Sequence, residues 1–352
     1  MRCFVSGWTG RRINDANMTS AGEKYAKELI DLFDYNKQTL SEFNSGTYYG
    51  VSLWVLVLWS KYLPKDSLMT SRAPGMIANI WQSIGNLWHP QLLNLGGPWD
   101  RSYGYDMNKY VSLIAFPIWG AVGKEYSSIK QNPGVISHHD DYEMAPLHAI
   151  LAKAHNALIP ADVKSALKKF KGEHTYAAAV TYPPYDVRAR NITAWLAPNI
   201  AIGAQSWYIN STIPGGKLGN LKSYVPGTIQ WRTPCGEIGW IVSQVKNNHT
   251  IIEAAANTLS VIYPEGDASS SFSFLVSQFA ERPTVGSLAD IQGLSVKVGG
   301  NVNATYAISF AGSYAGTNTV INNFEYWNFT WTMPSDFKKG TAPTINLQVA
   351  LV

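Results

Sequence analysis

Apolar positions recur at helical spacing through the first half of the chain and alternate through the second. Residues 23–40 carry Tyr25, Leu29, Leu32 and Phe33 on one stripe among charged neighbours, which predicts an amphipathic helix. Residues 49–62 are almost wholly apolar and stop at Pro64, the mark of a buried helix. Further helices are predicted over 74–88 with Pro74 in the first turn, 106–122 with a kink at Pro117, 141–158 with Pro146 marking the true first turn, and 163–170 after Pro160. Short loops join them, as in stacked antiparallel hairpins. From about Thr175 the period drops to two. Segments at 176–182, 194–195, 200–209, 228–232, 239–244, 250–256, 259–263, 272–279, 294–298, 305–310, 328–333 and 345–352 are punctuated by Gly, Asn and Pro. That texture predicts antiparallel strands in a β-sandwich. The expected architecture is therefore α+β and multidomain: residues 1–180 form an incomplete α/α toroid of helical hairpins, and residues 181–352 an antiparallel β-sandwich.

Composition adds three constraints. Charged residues are 15% of the chain against 46% hydrophobic, which excludes an extended disordered class. The net charge of +4 is scattered, so no nucleic-acid partner is expected, and no run of about 18 apolar residues predicts a membrane span. Asn-X-Ser/Thr occurs at Asn17, Asn191, Asn210, Asn248, Asn303 and Asn328, a density that points to a glycosylated protein of the secretory pathway. Residues 1–12 lack the apolar core of a signal peptide, and only about six helices are visible where a closed toroid needs more. Both observations lead us to expect a natural start upstream. Cys3 and Cys235 lie in opposite halves with no metal-type spacing, so neither a metal nor another cofactor is expected. The sequence leaves the oligomeric state open.

Three polar clusters fall at predicted helix starts or in the loops before them. The first, residues 42–50, places Asn44 and Tyr48 beside a possible N-cap at Ser45 or Thr47. They either face a cleft or merely hold the turn and the core. The second is the densest: Gly96-Gly97-Pro98 sets a tight loop, followed by Trp99, Asp100, Arg101, Tyr103, Tyr105 and Asp106. These groups either bind substrate or form an N-cap and an ion-pair network. The third joins His138, His139, Asp140 and Asp141. Adjacent histidines point apart on a regular element and so share one metal poorly; one of them as acid/base or binding group, or the whole cluster as a helix cap, remains open. The 13 Trp and 19 Tyr suit stacking on sugar rings as well as filling a large core, and Trp207, Tyr208, Trp231 and Trp240 fit core packing better than a cleft edge. Nucleophile-elbow, P-loop, dinucleotide and zincin motifs are all missing from the sequence.

The Asn44–Gly50 and Gly97–Met107 stretches, on helices that precede an all-β region, resemble the toroid-plus-sheet polysaccharide lyases and heparinase-like proteins. The likeness is one of architecture and residue inventory over most of the chain. The loop from Asp100 to Met107 is also similar to one in uncharacterised fungal proteins. The resemblance implies β-elimination on a uronic-acid glycan. Asn44 and Arg101 would neutralise the sugar carboxylate, and Tyr103, Tyr48 and His139 would supply acid and base. Trp99, Asp100, Tyr105, Asp106, His138 and Asp141 would bind the polymer or another small-molecule substrate. Three other readings stay open: an α/α glycoside hydrolase using a pair among Asp100, Asp106, Asp140 and Asp141, a natural-product cyclase or dehydratase built around a closed hydrophobic cavity, and a non-catalytic glycan-binding protein.

Overall fold

A computed structural model describes residues 1–101, 112–129, 139–184, 186–208, 225–244, 246–278, 285–311 and 326–352. Among the described residues seven α-helices lead into a large antiparallel β region, so the architecture is α+β. The helices are α1 (Arg2–Arg12), α2 (Ala16–Tyr35), α3 (Gly46–Tyr62), α4 (Leu68–Leu87), α5 (Ser112–Val122), α6 (Ala145–Asn156) and α7 (Ala161–Lys168). None of the described helices is long and apolar enough to cross a membrane.

Three helical features depart from the pattern reading, the first being α2, which covers Ala16–Tyr35 where 23–40 is expected. Helix α1 has no apolar stripe because its interface with α2 is made of glycine. A methyl group on Gly22 would lie 2.4 Å from the Gly7 backbone nitrogen, and one on Gly10 would lie 2.5 Å from the Thr19 nitrogen. Helix α4 starts six residues before Pro74, which sits inside it. The capping signal comes from another element: the Glu23 carboxylate of α2 accepts from the Ser67 hydroxyl at 2.6 Å and the Leu68 amide at 3.1 Å, and pairs with Arg11 at 2.6 Å.

Strands β1 (Trp88–His89) and β2 (Asn94–Leu95) form a small hairpin after α4. The main β region comprises β3 (His174–Val180), β4 (Arg190–Ala197), β5 (Ile200–Gln205), β6 (Trp207–Tyr208), β7 (Gly227–Arg232), β8 (Ile238–Ser243), β9 (His249–Ala255), β10 (Thr258–Ile262), β11 (Ser271–Gln278), β12 (Leu294–Gly300), β13 (Ala307–Phe310), β14 (Trp327–Thr332) and β15 (Thr344–Leu351). Eight strands pair in the order β13-β14-β11-β8-β7-β5-β4-β3 and five in the order β12-β15-β10-β9-β6, all antiparallel. The first strand of this main β region, β3, opens at His174.

The centre of the eight-stranded sheet is buried on both faces, which is why β5 and β8 read as unbroken apolar runs rather than alternating ones. Period-two geometry sends Ile192, Ala194 and Leu196 of β4, with Trp240 and Val242 of β8, into a core shared with the helices. The intervening Trp195, Ile202, Ile229, Trp231 and Phe274 join Ile252, Leu259, Val261, Ile345 and Leu347 of the five-stranded sheet in a second core. Trp207, Trp231 and Trp240 are buried, as core residues should be. Cys3 and Cys235 are not joined by a disulfide; Cys235 Sγ lies 3.0 Å from the Thr233 hydroxyl.

Candidate functional site at the helix–sheet junction

The loop after β2 is seated on one face of β5 by three alternate residues. A methyl on Gly96 would touch Ala201 at 3.6 Å, Gly203 leaves room for the Gly97 carbonyl, and the Gln205 amide donates to Asp100 Oδ1 at 2.8 Å. Asn44 locks the loop from the helical side. Its φ is +50°, a conformation that Asn tolerates. Its Nδ2 donates to the Gly96 carbonyl at 2.8 Å and the Pro98 carbonyl at 2.7 Å. The side chain is wholly buried. This corrects the expectation that Asn44 neutralises a substrate carboxylate: both amide hydrogens are committed to the loop. Trp99 is likewise buried in the core and exchanges backbone hydrogen bonds with Val225, so its indole is not a sugar platform.

Asp100 is a structural tie as well. Its side chain is 6% exposed; Oδ2 accepts from the Phe43 amide at 2.9 Å, and Oδ1 accepts from Arg190 at 3.2 Å. Burial pushes its carboxyl above the usual range, and the Arg190 guanidinium pulls it back. Asp186, also raised by burial and opposed by Arg190, accepts from Arg190 Nε at 2.8–2.9 Å and from the Tyr182 amide at 2.8 Å. One guanidinium therefore serves two buried carboxylates, and neither faces an open cleft. Asp100→Asn turns an acceptor towards the donors of Arg190 and Gln205 into a donor. We expect it to cost about 1.5–3 kcal/mol in urea unfolding, the scale of a charged hydrogen bond, with a far smaller loss on Glu265→Gln at the surface.

Arg101 and Tyr48 do come together. Arg101, 40% exposed, donates Nε to Glu42 at 2.7 Å, and its guanidinium carbon lies 5.3 Å from the Tyr48 ring centroid. Both Glu42 and Tyr48 line a hollow of about 180 Å³ against α2. The described part of the third cluster stands against α5 instead. Asp141 lies within a 3₁₀ segment, His139–Met144, whose Tyr142 packs edge-on against Phe116 of α5 at 5.2 Å. At about 100° per residue, Tyr48, Tyr49 and Ser52 occupy one side of α3. Gly50, Trp54 and Val57, which face α5 and α6, occupy the opposite side. Tyr103, Tyr105, Asp106 and His138 lie outside the described residues, as do the side chains of His139 and Asp140. Among the described residues no group of three or more His, Cys, Asp or Glu side chains is placed to hold a metal ion.

The junction extends to residues that motif reading passed over. From Asp186 the chain runs through Val187, whose amide donates to the Tyr208 carbonyl at 3.2 Å, to Arg188. Arg188 hydrogen-bonds His249 Nε2, and its guanidinium carbon stands 5.2 Å from the Tyr208 ring centroid. His249, 12% exposed, meets Glu265 Oε1 through Nδ1 at 3.0 Å and packs edge-on to Tyr208 with centroids 4.6 Å apart. A guanidinium only donates, so Nε2 is the acceptor and the imidazole proton sits on Nδ1, directed at Glu265. A base, its orienting carboxylate, a phenol and a guanidinium thus converge where β6 and β9 pair. Tyr208 was legible only as a possible cleft edge. His249 was hidden inside the Asn248 sequon, and the Asp186-X-Arg188-X-Arg190 alternation was the one available signal.

No curated protein matches this chain. Residues 1–153 match the family described as Domain of unknown function (DUF8769). Residues 172–350, which contain every strand from β3 to β15 except the final residue of β15, match Domain of unknown function (DUF8770). Since that second match takes in just over half of the 352 residues, the chain belongs to the family described as Domain of unknown function (DUF8770).

Proposed function

We propose that the protein is a polysaccharide lyase that cleaves uronic-acid glycans by β-elimination at the Arg188–Tyr208–His249–Glu265 cluster. The supporting observation is the hydrogen-bonded order Glu265, His249, Arg188 beside a tyrosine ring. In the resting arrangement Arg188 caps the imidazole lone pair. A uronate carboxylate competes for that guanidinium, which neutralises the sugar acid and uncovers Nε2 in one step. Nε2 then takes the C5 proton while Glu265 holds the Nδ1 proton and stabilises the imidazolium. The C5–H electron pair forms the C4=C5 double bond, the C4–O bond breaks, and the leaving oxygen takes the Tyr208 hydroxyl proton. Arg101 and Tyr48, linked to the cluster through Asp100, Arg190 and Asp186, extend the binding rim.

This reading takes the two sheets around their common core as a β-sandwich, and the helical hairpins as an arc of an α/α toroid. It also places the protein in the secretory pathway. Asn17, Asn191 and Asn248 lie at the surface, whereas the Asn303 and Asn328 amides are engaged in hydrogen bonds to neighbouring residues.

A panel of uronic-acid polymers, followed by absorbance of the unsaturated product, tests the assignment. His249→Gln and Tyr208→Phe are each expected to lower the rate by about 10²–10⁴-fold, the usual contribution of an acid or base. Arg188→Ala raises KM as well, because it removes the carboxylate partner. Undiminished rates in both His249→Gln and Tyr208→Phe, or no product from any polymer, overturn the proposal.

A further inference from the structure

A cavity of about 460 Å³ lies between α3, α5 and α6, away from the junction cluster. Its walls include Trp54, Phe116, Trp119, His148 and His155, and among the described residues no carboxylate, lysine or arginine lines it. The volume falls in the range of small-molecule sites, roughly 300–1,000 Å³. Trp119 is 43% exposed and Ala149 is exposed, so the space communicates with solvent there.

The two histidines differ in their commitments. The Trp81 indole donates to His155 Nε2 at 3.0 Å, so the His155 proton sits on Nδ1, towards Asn156 Oδ1 at 3.3 Å. That ring is a satisfied wall. His148 Nε2 is buried and has no hydrogen-bond partner among the described residues, and the ring lies 6.0 Å from Phe116. Burial holds both imidazoles at a pKa of about 4, so they are neutral near pH 7. A charged ligand would lose its hydration there with nothing to pair against. A neutral ring system gains from the flat indole and phenyl faces.

We propose that this cavity binds an uncharged aromatic or polycyclic small molecule bearing one hydrogen-bonding group, which His148 meets. The probe is N-phenyl-1-naphthylamine, neutral with a single N–H, added to the full chain. Its fluorescence should rise saturably with one site per chain. Binding should weaken at least about tenfold, a difference of about 1.4 kcal/mol, in Ala152→Phe, which fills the cavity. Ala149→Trp, at an exposed position of the same wall, provides the same readout should Ala152→Phe not fold. The sulfonated analogue 1-anilinonaphthalene-8-sulfonate should bind about tenfold more weakly than the neutral probe. Absence of saturable binding, equal affinity in folded filled variants, or equal affinity for the sulfonate overturns the proposal.

Discussion

Gly203→Ala is expected to remove more than about 4 kcal/mol of stability, beyond what an ordinary substitution costs. A methyl at residue 203 would lie 1.7 Å from the Gly97 carbonyl oxygen and 2.0 Å from its carbon. The obstacle is backbone, which no rotamer change can clear. The loop behind it cannot retreat, since Asn44 holds the Gly96 and Pro98 carbonyls and Asp100 holds Phe43, Gln205 and Arg190. Relief therefore requires lifting the helical layer off β5, with loss of buried apolar area on both sides. Gly299→Ala in β12 is the control. Its methyl meets nothing within 4 Å, so it should be neutral or stabilise by up to about 1 kcal/mol. Urea unfolding followed by circular dichroism separates the two. A Gly203→Ala protein within about 1 kcal/mol of wild type would show that the loop does not rest on the sheet in this way.

The same joint shows what a sequence reveals and what it hides. Strong periodicity located α3, α6 and α7 and most of the strands, because their partners are apolar side chains that leave a mark in the chain itself. The interface of α1 is made by the absence of side chains at Gly7, Gly10 and Gly22, which carries no periodic signal. The start of α4 is capped by Glu23 from 44 residues upstream by way of Ser67. For the chemistry, residue inventory alone could not separate ligand from tie. Asn44 and Asp100 are polar because a buried loop needs acceptors and donors, a demand identical in composition to that of a cleft. Arg101 and Tyr48 were legible only as members of two separate clusters 53 residues apart, and their contact appears only in the fold. His249 and Glu265 stand 16 residues apart across a turn, and only the pairing of β6 with β9 and β9 with β10 brings them to Tyr208 and Arg188.

Acid should begin to destabilise the protein before its carboxylates reach their ordinary titration range. His89, His148 and His155 each have a pKa lowered to about 4, with burial the first cause. His89 is wholly buried, bonded through Nε2 to the Ala197 carbonyl at 2.9 Å and stacked on Phe170. His155 is nearly as buried, while His148 is only partly so and contributes less. Unfolded, each would titrate near 6.5. Between about pH 6.5 and 4 the unfolded chain therefore binds more protons than the folded one, and stability rises with pH across that window. The full stabilisation is present above 6.5 and is lost progressively down to 4. For His89 and His155 the loss amounts to roughly 3 kcal/mol each at the acid end, at about 1.4 kcal/mol per unit. Asp100 and Asp186 act in the opposite sense. Their folded carboxyls are raised, so they take up protons before the unfolded chain does and offset part of the loss. The histidines dominate because their window opens first, two units above the ordinary carboxylate range. Urea midpoints at pH 7, 5.5 and 4.5 should fall steeply, with a slope near two protons, and His155→Gln should remove about one of them. A flat profile between pH 7 and 5 would mean that these rings are not held neutral by burial, and the Trp81–His155 tie would then need a different protonation state from the one its geometry requires.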